Sequence, residues 1–434
     1  MVNALTPALL LALTFVNGIG LAMRWPVFAA IVPEIVSRAQ LSPAIALNGI
    51  AMNLSRVIGP VLAGAMLAAF SPAAVFVLNA LLAGAAFVLI LRWKRQPKAS
   101  ALPGERFFGA MRVGLNYALQ SPRLKVILLR VFLFFLQSTA LIALLPLIAL
   151  RLHGGGPATF TVMLACLGFG AIVAALYFPR WRARYSRDQF VTIGTLAQAA
   201  LSVLIVYVPE LWVGLPAMVL VGMAWISVAN SLTISAQTAL PDWVRARGMS
   251  IYQMALMGGS AAGSLLWGQI ASWTDVAAAV AAAAGFGVVM LALLRRLSID
   301  GGTEIDFSPT AMTGTLEAPV DVEAEVGPVM VTVEYQIEPA RAAEFAEVMQ
   351  RTRRARLRQG ALSWGLFRDA AHPERVIEYF VDENWLEHQR RLERFSAFDA
   401  DLRVKRLAFH IGAEPPRVKR FVALPLDLSA DRPH

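Results

Sequence analysis

Val131-Phe-Leu-Phe-Phe-Leu-Gln137-Ser138-Thr-Ala-Leu-Ile-Ala-Leu-Leu-Pro146-Leu-Ile-Ala-Leu150 is a run of 20 residues without a charge. At about 1.5 Å per residue a helix of this length crosses a hydrocarbon core about 30 Å thick. Working outward, the same reading applies to Pro7 to Val32, Ile45 to Phe70, Ala73 to Leu91, Phe160 to Phe178, Val191 to Val208, Val213 to Gln237, Ser250 to Trp273 and Val276 to Leu294. With the opening run these make about nine spans, and their length without period-two alternation predicts helices. Composition agrees: 57% of the 434 residues are hydrophobic, 16% are charged, and the mean hydropathy is +0.59. Such values exclude an ordinary water-soluble globule.

Charge sets orientation. Residues 1–297 carry 21 Lys and Arg against 6 Asp and Glu, whereas 298–434 carry 18 against 23. Eighteen of the 21 basic residues lie in or beside alternate connections: at Arg38, through 92–130, at Arg180 to Arg187, at Arg245 and Arg247, and at Arg295 and Arg296. Only Arg151 lies in an opposite one. The positive-inside rule then predicts a cytoplasmic C-terminus and an outside N-terminus in the plasma (inner) membrane. The net charge of +10 reports topology and implies no nucleic-acid partner. The single cysteine, Cys166, excludes an intrachain disulfide.

A repeat is visible within the membrane half. Pro33-Glu34-Ile35-Val36-Ser37-Arg38 is echoed by Pro241-Asp242-Trp243-Val244-Arg245, and Gly59-x4-Gly64 by Gly263-x4-Gly268. Long-range duplication of spans is typical of secondary transporters. Six spans precede the tail after Val131 and only three lie before it, so three spans are expected to be absent ahead of Met1.

The organisation read from this is an all-α polytopic bundle over 1–297, made of an incomplete first half at 1–92, a cytoplasmic connection at 93–125 and a second half at 126–297. Residues 298–327 hold seven acidic residues and no basic one, a flexible solvated linker. Residues 328–424 change period: Val329 to Ile337 alternates as a strand, Pro339 to Gln359 is an amphipathic helix, and Leu362 to Arg368 with Arg375 to Val381 forms a hairpin. Trp385 to Phe409 is helical, as one helix or a broken one, and Arg417 to Leu424 is a last strand. The order βαββαβ predicts an α+β ferredoxin-like domain, and 425–434 is a short tail.

Asn53-Leu-Ser-Arg56-Val-Ile-Gly59-Pro60-Val-Leu-Ala-Gly64 resembles the fifth-helix glycine-proline signature of major facilitator efflux proteins. Pro26 to Arg38, and the tail from Val333-Glu-Tyr335 through Trp385-x2-His388, resemble one branch of them, the transmembrane secretion effectors. That branch includes the enterobactin exporter, and its longer members end in an antibiotic-biosynthesis-monooxygenase-like domain. The resemblance implies twelve spans in a complete member, export of a small metabolite of siderophore or drug-like class, and dimerisation through the tail.

Candidate path or gating residues follow from polarity inside spans. Arg56, with Asn53 one turn before it and Gly59 one turn after, is an intramembrane charge that needs a cavity, water or a partner. Gly59-Pro60 bends the helix, and Gly59 and Gly64 allow close packing. Arg24 precedes Pro26 at a break; its alternative is a pairing with Glu34. Asn230, Ser231, Ser235 and Gln237, with Trp225, form a polar stripe, to which Gln137, Ser138, Gln198 and Gln253 add. No Asp, Glu or His lies inside any of the nine spans. No metal-ligand spacing or phosphate loop is present, so no catalytic residue, metal or cofactor is assigned. Asn384, Trp385 and His388 superficially resemble residues of haem-degrading members of the monooxygenase-like fold, and a packed helix face is the simpler reading. The run Arg351, Arg353, Arg354, Arg356 and Arg358 reads as a solvated face open to anionic lipid headgroups. A membrane-anchored tail enzyme and a truncated, inactive transporter remnant are the rival readings.

Overall fold

The computed structural model describes residues 72–93, 107–152, 157–182, 184–299 and 323–424, a helical stretch at Leu11–Gly20, and scattered positions before 71. The chain divides into two compact units. One comprises 1–99, 126–236 and 252–300; the other comprises 100–125, 237–251 and 301–434.

Seven helices run mainly through the first unit: α1 (Pro72–Arg92), α3 (Pro122–Arg151), α4 (Pro157–Arg182), α5 (Arg187–Tyr207), α6 (Leu211–Thr238), α7 (Asp242–Trp273) and α8 (Val276–Leu293). Among the described residues five helices are long and apolar enough to cross a membrane, namely α1, α3, α5, α6 and α8, and Leu11–Gly20 and Ala158–Ala174 are shorter apolar helices. The first two predicted spans fall largely outside the described residues. The predicted span at Ser250 to Trp273 lies in α7, which is not among the five because Gly258, Gly259, Ser260, Gly263, Ser264 and Gly268 dilute its apolar residues.

That dilution has a packing reason. A Cβ at Gly259 or Gly263 would run into the carbonyls of Phe132 and Leu136 on α3, so α7 and α3 meet backbone to backbone. The contact is closed by Trp267, whose Nε1 donates to the Leu136 carbonyl at 2.7 Å. Gly170 of α4 and Gly222 of α6 make a reciprocal approach, each against the other helix's backbone. The apolar core draws on α3 (Leu141, Leu145, Ile148), α4 (Met163), α5 (Ile205), α6 (Met218, Val221) and α8 (Ala279, Val280). Helix starts are locally encoded: Ser186 and Gln189 form a capping box on α5, and Asp275 accepts from the amides of Ala277 and Ala278 to cap α8.

The second unit contains a four-stranded antiparallel sheet in the order β2-β3-β1-β4, from β1 (Val329–Gln336), β2 (Ser363–Arg368), β3 (Arg375–Asp382) and β4 (Arg417–Val422). Helices α9 (Ala342–Arg358), α10 (Trp385–Glu393) and α11 (Ala397–Leu407) complete it. Alternation fixes the faces: Val329, Val331, Val333 and Tyr335 of β1 point into a core shared with Phe345 and Met349 of α9 and Phe380 of β3. Helix α2 (Phe107–Gln120) belongs to this unit and packs on α9, burying Val113 and Tyr117 while Met111, Leu115 and Leu119 stay exposed.

Candidate functional site

The membrane helices bury a set of polar side chains: Gln137 and Ser138 on α3, Thr195, Gln198 and Ser202 on α5, and Ser227, Ser231 and Ser235 on α6. Some are satisfied locally, as when the Ser231 hydroxyl donates to the Ser227 carbonyl at 2.8 Å. Among the described residues Gln137 Oε1, Ser138 Oγ and Gln198 Oε1 have no hydrogen-bond partner. An unmet buried amide or hydroxyl costs about 1–3 kcal/mol. Gln137 is pressed against Gly287 of α8, where a Cβ would collide with its amide. Gly194, one turn before Gln198, meets Val228 of α6, so this face of α5 looks toward α6. Trp225 of α6 packs edge-on against Phe135 of α3 at 5.7 Å, and Thr233 shares a 3.1 Å hydrogen bond with Tyr252 of α7.

Of the residues singled out in the sequence, Asn230 is half-buried beside Ser231, and Gln237 is exposed in the last turn of α6. Gly59 is exposed, and a Cβ placed there meets nothing within 4 Å among the described residues. Arg24, Asn53, Arg56, Pro60 and Gly64 lie outside the described residues, as does Glu34.

A second cluster was not anticipated. Arg130, near the start of α3, is only 6% exposed, and its guanidinium pairs with Asp188 at 3.1 Å. It also donates to the carbonyls of Leu294 and Leu297 at 3.1 and 2.6 Å, where the helical ladder of α8 ends. Asp188 in turn accepts from the Ser298 hydroxyl at 2.6 Å and the Ile299 amide at 3.0 Å. The starts of α3 and α5 and the exit of α8 are thus tied together. One signal was present in the sequence: Asp188 stands alone among four arginines, in the first turn of a helix with its own capping box.

In the tail, Asn384 serves as the N-cap of α10, accepting from the Glu387 amide at 2.8 Å. Trp385 packs on the His388 ring at 5.4 Å. Both His388 nitrogens are engaged: Nδ1 lies 2.7 Å from Asp382 and 3.1 Å from the Arg391 guanidinium, and Nε2 accepts from Arg420 at 3.2 Å. Burial pushes the histidine below its ordinary range against the pull of Asp382. Burial would raise Asp382, but Arg391 and His388 hold it below the usual carboxylate range. The same balance applies to buried Glu378, where Arg356 and Arg406 outweigh desolvation; Arg356 binds it at 3.1 Å, with Trp364 and Tyr335 completing the shell. The arginine run therefore splits: Arg351, Arg353 and Arg354 are exposed, whereas Arg356 and Arg358 are buried. No group of His, Cys, Asp or Glu among the described residues could hold a metal ion.

A model of the family described as transmembrane secretion effector matches residues 1–426. No curated protein matches the chain. Among solved structures, a bacterial homologue of the human lysosomal transporter Spinster, in an inward-facing and unoccupied conformation, is similar at 14% identity and a TM-score of 0.39, over 61% of this chain and 71% of that one.

Proposed function

Since the chain belongs to the transmembrane secretion effector family of major facilitator proteins, and is on that account a multi-pass membrane transporter rather than an enzyme, we propose that it exports a small metabolite of siderophore or drug-like class across the plasma (inner) membrane. The observation that carries this reading is the trio Gln137, Ser138 and Gln198, buried polar atoms without partners inside an apolar bundle. A substrate rich in hydroxyl or amide groups would meet them, and without one they destabilise the fold. Arg24, Asn53, Arg56, Gly59, Pro60, Gly64, Asn230 and Gln237 are the further path or gating residues of this proposal.

The orientation belongs to the same reading: the basic connections and the tail face the cytoplasm, supported by the distribution of the 21 basic residues. The tail is read as a ferredoxin-like module, supported by the order β2-β3-β1-β4 with every neighbour antiparallel. Its open sheet face, with Met330, Phe367 and Phe421 exposed, is a surface for self-association. Arg351, Arg353 and Arg354 are its candidates for lipid headgroups.

Everted membrane vesicles test the function, since an exporter fills them. Uptake of catecholate siderophores and of apolar drug-like cations is expected in parent vesicles and should fall at least tenfold in Gln137→Leu and Gln198→Leu, with melting temperatures unchanged or raised. Unchanged uptake in both variants would remove the trio from the path, and uptake confined to right-side-out vesicles would reverse the direction.

A further inference from the structure

We propose that a small cavity in the second unit, walled by Tyr117, Trp243, Arg358, Arg394 and Phe398, binds a compact inorganic anion of halide size. The carrying residue is Arg358, the last residue of α9. It is 8% exposed, and its guanidinium lies over the rings of Tyr117 at 5.9 Å and Phe398 at 5.3 Å. Among the described residues it has no carboxylate, carbonyl or other hydrogen-bond partner.

Its neighbours show what this unit does with buried arginines elsewhere. Arg356 sits on Glu378, and Arg391 on Asp382 at 3.0 Å. Arg394 donates to the Gln359 carbonyl at 2.7 Å and to Glu387 at 3.2 Å. Gly360, with φ of +117°, turns the chain just after α9 and frees that carbonyl for the contact. Ring faces attract a cation but accept none of its five N–H donors in a charge-assisted bond, so Arg358 keeps an unmatched charge.

The other polar groups of the cavity wall make no ion pair or hydrogen bond with Arg358 among the described residues, although the Asp399 carboxylate is one of them. Asp399 is committed to Ser396, accepting from its amide at 3.0 Å and its hydroxyl at 2.6 Å. Tyr117 donates its hydroxyl to the Ala239 carbonyl at 2.9 Å, and burial raises its pKa, so it stays neutral. The volume selects the guest. About 20 Å³ is room for a guest about the size of one water, which favours a compact ion. A halide in the cavity would meet the Arg358 guanidinium, with the paired Arg394 beside it in the wall. Because the wall is contributed by α2, the start of α7 and helices α9 to α11, the bound ion would fasten these segments to one another.

The test uses the full-length protein in detergent and compares potassium chloride with potassium gluconate at matched ionic strength, gluconate being too large to enter. Amide hydrogen exchange in Phe107–Gln120 and Ala397–Leu407 is expected to slow several-fold in chloride, saturably, with exchange in β1 and β3 unaltered. Arg358→Met, which keeps the stem and deletes the charge, should lose the chloride response and melt no lower than the parent in gluconate. Equal protection in both salts means screening of a water-filled cavity and overturns the site, as does a chloride response retained in Arg358→Met. Should that variant misfold, chloride-35 line broadening by the parent decides: bromide must compete it away while gluconate does not, and absence of broadening also overturns the site.

Discussion

At the scale of single residues, the second unit depends on charges placed inside it. Glu378 and Asp382 occupy inward positions of β3, in register with Val376 and Phe380, and each needs a cation to remain ionised. Their depressed pKa values make them stabilising above the ordinary carboxylate range, a contribution lost as pH falls through the folded-state value. His388 acts from the other side: its folded pKa is lowered, so the unfolded chain takes up a proton first and stability declines as pH drops below about 6.5. Melting of the tail unit is therefore expected to fall steadily from pH 7 to pH 4, and His388→Gln should flatten the upper part of that slope; a profile unchanged in the variant would place the titration elsewhere. Arg130→Ala leaves Asp188 and two helix-end carbonyls unmatched, and about 2–3 kcal/mol of destabilisation is expected by thermal melting, less for Arg130→Lys. The sequence could reveal the inward acids through strand alternation, which demanded buried partners. It could not say which member of the arginine run answers them, because Arg356 meets Glu378 only once the sheet is in place, while Arg358, two residues on and so on another side of α9, lies against Tyr117 and Phe398.

At the scale of elements, the membrane helices were legible as apolar runs, and the tail strands as alternation ended by turns, because both signals are local. Helix contacts were legible only in part. Gly263 and Gly268 stood out through the echo of Gly59 and Gly64, yet the close approach to α3 uses Gly259 and Gly263, one turn apart, and a Cβ at Gly268 meets nothing within 4 Å among the described residues. Which small residue faces a neighbour depends on the crossing, a tertiary property that spacing alone does not determine. Gly263→Val is expected to cost about 3 kcal/mol or more through collision with the Leu136 carbonyl, while Gly268→Ala should be neutral or slightly stabilising. Melting in detergent reads both, and equal losses would contradict the packing described.

At the scale of the whole molecule, charge distribution is the strongest guide. A reporter fused after Arg296 is expected to be active only in the cytoplasm, and one placed between Arg151 and Pro157 only outside; reversed signals would sink the orientation. The second unit is assembled from three separated stretches of chain, which neither composition nor periodicity could disclose, since nothing local in α2 marks α9 as its partner. An expressed 323–424 fragment should consequently show faster amide exchange in α9 than the full-length protein, and a peptide of residues 105–121 should restore protection. The same discontinuity imposes a schedule on biosynthesis. Roughly 220 residues separate the end of α2 from the start of α9, and at about 5–20 residues per second the ribosome takes between about 10 and 45 s to make them. For that interval α2 exists without α9, so the unit closes late in translation, and a chain that stalls before residue 342 leaves Val113 uncovered and Tyr117 with only its Ala239 and Trp243 contacts, however well its membrane helices have already inserted.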